Sequence, residues 1–180
     1  GSILQGHPDC LKTPGLDTSS GSLGQGLSIA LGMALGARHA KSKFKVYCLL
    51  SDGEMDEGMI WEAAMAANHY KVFNLTAIVD YNHLQVDGPI SEIMNIEPLE
   101  DKWRAFGWKV VTIDGHDIES LLVAFEMRSK YVDGPFVIIC NTIKGKGVSY
   151  MENDVNWHCC ATTKELRDQA IRELDSKIIN

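Results

Sequence analysis

At 180 residues, 45% hydrophobic and 23% charged, the chain has the length and balance of one folded domain with an ordinary core. Seventeen Lys and Arg against 24 Asp and Glu give a net charge of −7 with no basic cluster, which excludes nucleic acid as an expected partner. The most apolar stretch, residues 23–37, is short and broken by Gly24, Gln25, Gly26, Ser28, Gly32 and Gly36, and no signal segment opens the chain, so no membrane span is expected.

Residues 3–20 hold Gly6, Pro8, Pro14 and Gly15 without a sustained period and read as an opening loop. His7 lies before Pro8, where the backbone is pushed to extended angles, so it is placed outside any helix interior. Thr18 to Ser22 offer several capping side chains ahead of a helix from about Leu23 to His39. Each of Gly24, Gly26, Gly32 and Gly36 would cost roughly 1 kcal/mol against Ala in an exposed helix, so this helix is expected to press against other backbone.

Residues 45–88 read as one strand, helix, strand unit. Lys45 to Leu50 is a short apolar run that stops at Ser51-Asp52-Gly53, a turn of small and acidic residues. Glu54, Asp56 and Glu57 follow, placed to suit the positive end of a helix, and Ile60, Ala63, Ala64 and Ala67 recur at helical spacing. Leu75 to Val79 is a second buried strand, running into Asp80-Tyr81-Asn82-His83. Parallel strands joined by one crossover helix end on the same edge of the sheet, so Asp52 and Asn82 can meet there. A carboxylate and a carboxamide on strand-end turns suit a hard cation such as Mg²⁺ that also holds phosphates. Gly53 would let backbone approach a phosphate closely. Taken singly, each of these residues also fits an ordinary turn, and only their combination points to a site.

Residues 89–108 form a polar-to-helical connector, and Lys109 to Ile113 a further strand ended by Asp114-Gly115. Ile118 to Lys130 is a helix expected to cover the sheet with Leu121, Leu122, Ala124 and Phe125, and Pro135 to Asn141 a third buried strand. Lys144-Gly145-Lys146-Gly147 follows at the same edge as Asp52 and Asn82, and residues 163–180 close the chain as an amphipathic helix with Leu166, Ala170, Ile171 and Leu174 on one side. Cys10, Cys48, Cys140, Cys159 and Cys160 form no CxxC pair, and two lie in strand patterns, which fits reduced thiols in a cytoplasmic protein. Cys159-Cys160 after His158 invites a metal reading, but adjacent residues rarely chelate one ion together.

Four ordered segments, GHPD at 6–9, SGSLGQG at 20–26, SDGEMDEG at 51–58 with DYNHLQVDG at 80–88, and KGKG at 144–147 with Trp157-His158, resemble the transketolase family. The likeness covers residues 4–174. It implies an α/β, parallel-sheet thiamine-diphosphate-binding fold with helices on both faces, spanning residues 1–180 as one diphosphate-binding domain. The resemblance assigns Mg²⁺, with Ca²⁺ or Mn²⁺ able to replace it, to Asp52, Asn82 and the carbonyl of Leu84. It assigns thiamine diphosphate to Gly21, Ser22, Leu23, Gly53, Glu54, Asn82, Lys144 and His158. His7 and His158 would polarise substrate oxygens and move protons, and Glu57 would link paired cofactor sites. The chain departs from the family at Ser51, where glycine is usual, and at Cys159-Cys160, where small and basic residues are usual. His116 lies in an Asp-Gly-His-Asp turn also seen in the family and is read as structural.

No match to the family's pyrimidine-binding domain, which supplies the acid for the cofactor's aminopyrimidine, stands in the chain. The resemblance therefore implies the N-terminal subunit of a split transketolase, transferring a two-carbon ketol unit between sugar phosphates of the pentose phosphate pathway. It would act with a C-terminal subunit bearing the pyrimidine-binding domain, in a homo- or hetero-oligomer. Deoxyxylulose-phosphate synthase and 2-oxo acid dehydrogenase components share the cation motif and remain alternatives, as does a non-catalytic binding or assembly subunit.

Overall fold

In the computed structural model, which describes residues 2–178, helix α1 (Gln25–His39) precedes strand β1 (Val46–Ser51), a 3₁₀ turn (Gly53–Asp56) and helix α2 (Gly58–His69). Strand β2 (Leu75–Tyr81) leads into a small antiparallel hairpin, β3 (Leu84–Gln85) and β4 (Gly88–Pro89), then helices α3 (Ile90–Ile93) and α4 (Leu99–Ala105). Strand β5 (Lys109–Asp114), helix α5 (Ile118–Lys130) and strand β6 (Phe136–Asn141) complete the sheet, and helix α6 (Lys164–Ile178) follows a second 3₁₀ turn (Val155–His158). Residues 179 and 180 of the expected last helix, and residue 1 of the expected domain, lie outside the described residues.

The four main strands are all parallel, in the order β1-β2-β6-β5. Register aligns Ser51 with Asp80, Asp80 with Cys140 and Ile113 with Cys140, so all four strands end on one edge. Helices cover both faces, as expected of parallel sheets. On one side, Leu27, Ala30, Leu31 and Ala34 of α1, Ile60, Ala63, Ala64 and Ala67 of α2, and Trp103 of α4 bury Cys48, Leu50, Ala77 and Val79. On the other, Ala124 of α5 packs with Phe136, Ile138 and Cys140. Arg128 fixes the end of α5 from inside: buried, its guanidinium donates to Thr76 Oγ1, Phe73 O and, at 3.0 Å, Tyr131 O.

Four local expectations need correction. The capping side chains at 18–22 are not used, since α1 begins after Gly24, in the left-handed region at φ 83°, with no side-chain cap. Gly32 and Gly36 do not press on backbone; they face open space, because α1 presents its leucine and alanine face to the core. Leu122 does not cover the sheet and stands exposed, because α5 turns its Leu121 and Ala124 side inward. On α6, Leu166 and Ala170 are half-buried but Ile171 and Leu174 remain exposed, because the helix packs on a loop rather than on the sheet.

Candidate functional site

Strand β1 ends in a turn that the sequence closes on itself. Ser51 Oγ accepts from Glu54 N at 3.1 Å, so the serine at the family's glycine position adds a bond to the turn. Asp52 is fully buried, and its carboxylate accepts from Gly53 N at 2.8 Å and from His83 N at 2.5 Å. Burial pushes the Asp52 carboxyl up to about 6; the His83 and Gly53 N–H bonds oppose the rise and the charge of nearby Asp80 adds to it. Glu54 does not sit in the first turn of a long helix, because α2 starts only at Gly58. Its carboxylate instead accepts from Gly24 N at 2.8 Å and Ser51 N at 3.3 Å, tying the segment before α1 to the end of β1.

Asn82 follows β2 and is 9% exposed. Its Oδ1 accepts from Leu84 N at 3.0 Å and its Nδ2 donates to Asp80 Oδ2 at 3.3 Å. His83 takes a left-handed conformation, φ 64°, and through its N–H bond to Asp52 it joins the two turns. A Cβ on Gly53 would lie 2.9 Å from Gln85 Cβ, so the glycine lets the β3 hairpin close over the turn. Asp52 and Asn82 are thus brought together as their strand positions imply.

The opening loop folds onto the segment before α1. Cys10 N donates to Ser19 Oγ at 3.0 Å, Ser20 N to Pro8 O at 3.2 Å, and the His7 ring lies over Gly21, where a Cβ would meet Nδ1 at 3.1 Å. His7, Gly21, Ser22 and Leu23 are exposed. Gly24 then passes so close to Glu57 that a Cβ would come within 2.8 Å of Glu57 Cβ. Glu57 is exposed at the start of α2.

After β6, Thr142 N donates to Tyr81 O at 3.0 Å, and Ile143 N to Nε2 of His116 at 2.8 Å, so the Asp-Gly-His-Asp turn is a structural support for this loop. Lys144, next in the chain, is half-buried. The loop is held from outside by α6: Glu173 accepts from Ser149 N and Oγ at 2.7 and 2.9 Å, and Lys177 Nζ donates to Gly147 O at 2.9 Å. His158 is exposed on a 3₁₀ turn that packs against β3, which brings it toward the Asn82 turn. Cys159 and Cys160 are exposed and free, whereas burial pushes the Cys48 thiol up to about 12 and also raises that of Cys140.

The donors fit a small hard cation. A buried carboxylate whose hydrogen bonds all come from backbone N–H groups and a nearly buried carboxamide stand at one sheet edge, with Leu84 following Asn82 by two residues at the start of β3. Asp80, Thr142 and the N–H of His83 join this site without having been singled out by sequence reasoning. The available signal was local: Asp80 precedes Asn82 by two residues, and alternate strand residues share a face.

Residues 1–177 match the family described as "Transketolase, thiamine diphosphate binding domain". The chain is 44% identical over 178 residues to an apulose-4-phosphate transketolase subunit from Phocaeicola vulgatus, covering 99% of this chain and 63% of that protein. It is 45% identical over 177 residues to the 6-deoxy-6-sulfo-D-fructose transketolase subunit SqwG of a Clostridium species, covering 98% and 64%. The chain therefore spans somewhat under two thirds of the length of these relatives. Among solved structures, the transketolase of Campylobacter jejuni superposes with a TM-score of 0.86 at 30% identity, over 97% of this chain and 28% of that one.

Proposed function

The chain belongs to the transketolase family, as its thiamine-diphosphate-binding part, and from that premise we propose that it is the diphosphate-binding subunit of a split transketolase. The reaction is transfer of a two-carbon ketol unit between sugar phosphates, carried out with a second chain bearing the pyrimidine-binding domain. The two relatives are named for different sugars, the phosphorylated apulose 4-phosphate and the sulfonated 6-deoxy-6-sulfo-D-fructose, so a sulfonated ketose stands beside the sugar phosphates as a second donor class. The observation that carries the reading is the meeting of the Asp52 and Asn82 turns at one sheet edge, with the Gly24 segment tied to the same turn through Glu54.

In this reading the Asp52 and Asn82 side chains and the Leu84 carbonyl would hold Mg²⁺, and thiamine diphosphate, when bound, would supply the nucleophilic carbon that ketol transfer needs. Gly53 keeps the diphosphate-facing turn free of a side chain, and Lys144 brings positive charge from the neighbouring loop. Backbone of Gly21 to Leu23 lines the ring end of the cofactor. His7, lying over Gly21, and His158, on its exposed turn, bind substrate oxygens and exchange protons with them. Glu57, beside Gly24, is the acid that faces a second site across an oligomer. The described residues all belong to one diphosphate-binding domain.

The test is an assay with xylulose 5-phosphate and ribose 5-phosphate, run with the purified chain and then with a chain carrying the pyrimidine-binding domain at equal concentration. Ketol transfer is expected only when both are present. Turnover by this chain alone rejects the need for a partner; no turnover with the partner, using a series of ketose phosphates and a sulfonated ketose as donors, rejects ketol transfer.

A further inference from the structure

A cation at this edge needs the oxygen of Asn82, yet a carboxamide has two ends of nearly the same shape and only its hydrogen-bond partners decide which end faces where. Asp80 and the Leu84 N–H make that decision together, the carboxylate accepting from the amide nitrogen and the N–H donating to the amide oxygen. Asp80 Oδ2 accepts from Asn82 Nδ2 at 3.3 Å while Asp80 Oδ1 accepts from Thr142 Oγ1, and this contact keeps Nδ2 on the Asp80 side. Oδ1 of Asn82 is left on the other side, accepting from Leu84 N at 3.0 Å with one lone pair and keeping the second for a cation.

Asp80 is itself held from the loop that follows the neighbouring strand β6. Thr142 Oγ1 donates to Asp80 Oδ1, and the backbone of Thr142 and Ile143 is fixed from two directions, by Tyr81 O and by His116 Nε2. Gly115 allows this closeness: a Cβ there would meet Thr142 Cγ2 at 2.6 Å and Cys140 Cβ at 2.9 Å. A relay therefore runs from the loop after β6, through Asp80 at the end of β2, to the carboxamide. We propose that Thr142 and Asp80 are positioning residues which, through their hydrogen-bond relay, hold the Asn82 carboxamide with its oxygen turned to the cation that anchors the diphosphate.

This inference rests on the cofactor reading above, and the experiment separates the two. Mg²⁺ is titrated into the full chain, with its partner present, at saturating thiamine diphosphate, and followed by the shift in thermal midpoint and by calorimetry. Removing an outer partner of a metal ligand weakens metal binding about 10- to 100-fold, so Asp80→Asn is expected to raise the Mg²⁺ dissociation constant by at least about 10-fold, and Thr142→Val, which acts through Asp80, to raise it by a smaller but measurable factor. Thr142→Ser, which keeps the hydroxyl, is expected to restore it. The amide of Asp80→Asn can donate to Asn82 and permit the flip, which makes its loss the larger. Asp52→Ala is the control for the site itself.

A parent chain that does not respond to Mg²⁺, or an Asp52→Ala variant that responds like the parent, overturns the cofactor reading and this inference with it. A responsive parent, an unresponsive Asp52→Ala, and a Thr142→Val or Asp80→Asn that binds Mg²⁺ like the parent overturn the inference alone. So does a Thr142→Ser as weak as Thr142→Val. Should Thr142→Val fail to fold, judged by its ligand-free midpoint, Asp80→Asn and Thr142→Ser decide.

Discussion

Asp52 concentrates the electrostatics of the site in one side chain. It is fully buried, its partners are backbone N–H groups, and its carboxyl is pushed from 3.8 up to about 6. A carboxyl raised on folding contributes stability that is present below its ordinary value and lost as pH climbs through about 6. The metal-free chain should therefore show a higher thermal midpoint at about pH 5 than at about pH 7, over and above the change in Asp52→Ala. Added Mg²⁺ with cofactor should remove that difference, because a bound cation replaces the proton. Equal pH slopes in parent and variant, measured without metal, would contradict the account.

At the scale of elements, the loop between β6 and α6 depends on backbone shapes that glycine supplies. Gly145 has φ 70°, and a Cβ there would lie 2.5 Å from the Met151 carbonyl oxygen; at Gly147, φ 99°, it would lie 2.9 Å from Leu174 of α6. Gly145→Ala should lower unfolding free energy by roughly 1–3 kcal/mol through strain and collision, measured by urea denaturation. It should also weaken cofactor binding, since Lys144 is the adjacent residue. A variant as stable as the parent would show that the loop rearranges without cost. The same loop is fastened by Glu173 and Lys177 of α6, so the last helix braces this loop rather than the sheet.

For the whole molecule, the question is what faces the cofactor from the other side. Leu23 is 56% exposed beside the proposed ring end, and Tyr47 and Leu49 stand exposed on the edge strand β1, Tyr47 against Phe125 of α5. Exposed apolar side chains of this size favour association. Sedimentation of the chain alone is expected to show a mass above one chain, and mixing with the pyrimidine-binding partner to give a defined larger complex. A chain that stays monomeric and takes up no partner contradicts the subunit reading. Among the described residues no helix is long and apolar enough to cross a membrane.

Period and punctuation in the sequence determined the sheet and the place of the central turns, because buried parallel strands must be apolar and must stop at small or acidic residues. Ile60, Ala63, Ala64 and Ala67 are buried as their spacing requires, and Asp52 and Asn82 meet because one crossover helix leaves parallel strands no other arrangement. Only the tertiary structure decided what the polar groups do there. Glu54 reads as helix-end charge but serves Gly24 and Ser51; Thr142 and Asp80, 62 positions apart in the chain, share a hydrogen bond. Gly32 and Gly36 read as packing residues and face open space. The physical reason is range: apolar periodicity is written within one element, whereas a hydrogen bond between strand ends depends on register and sheet order, which no local pattern encodes.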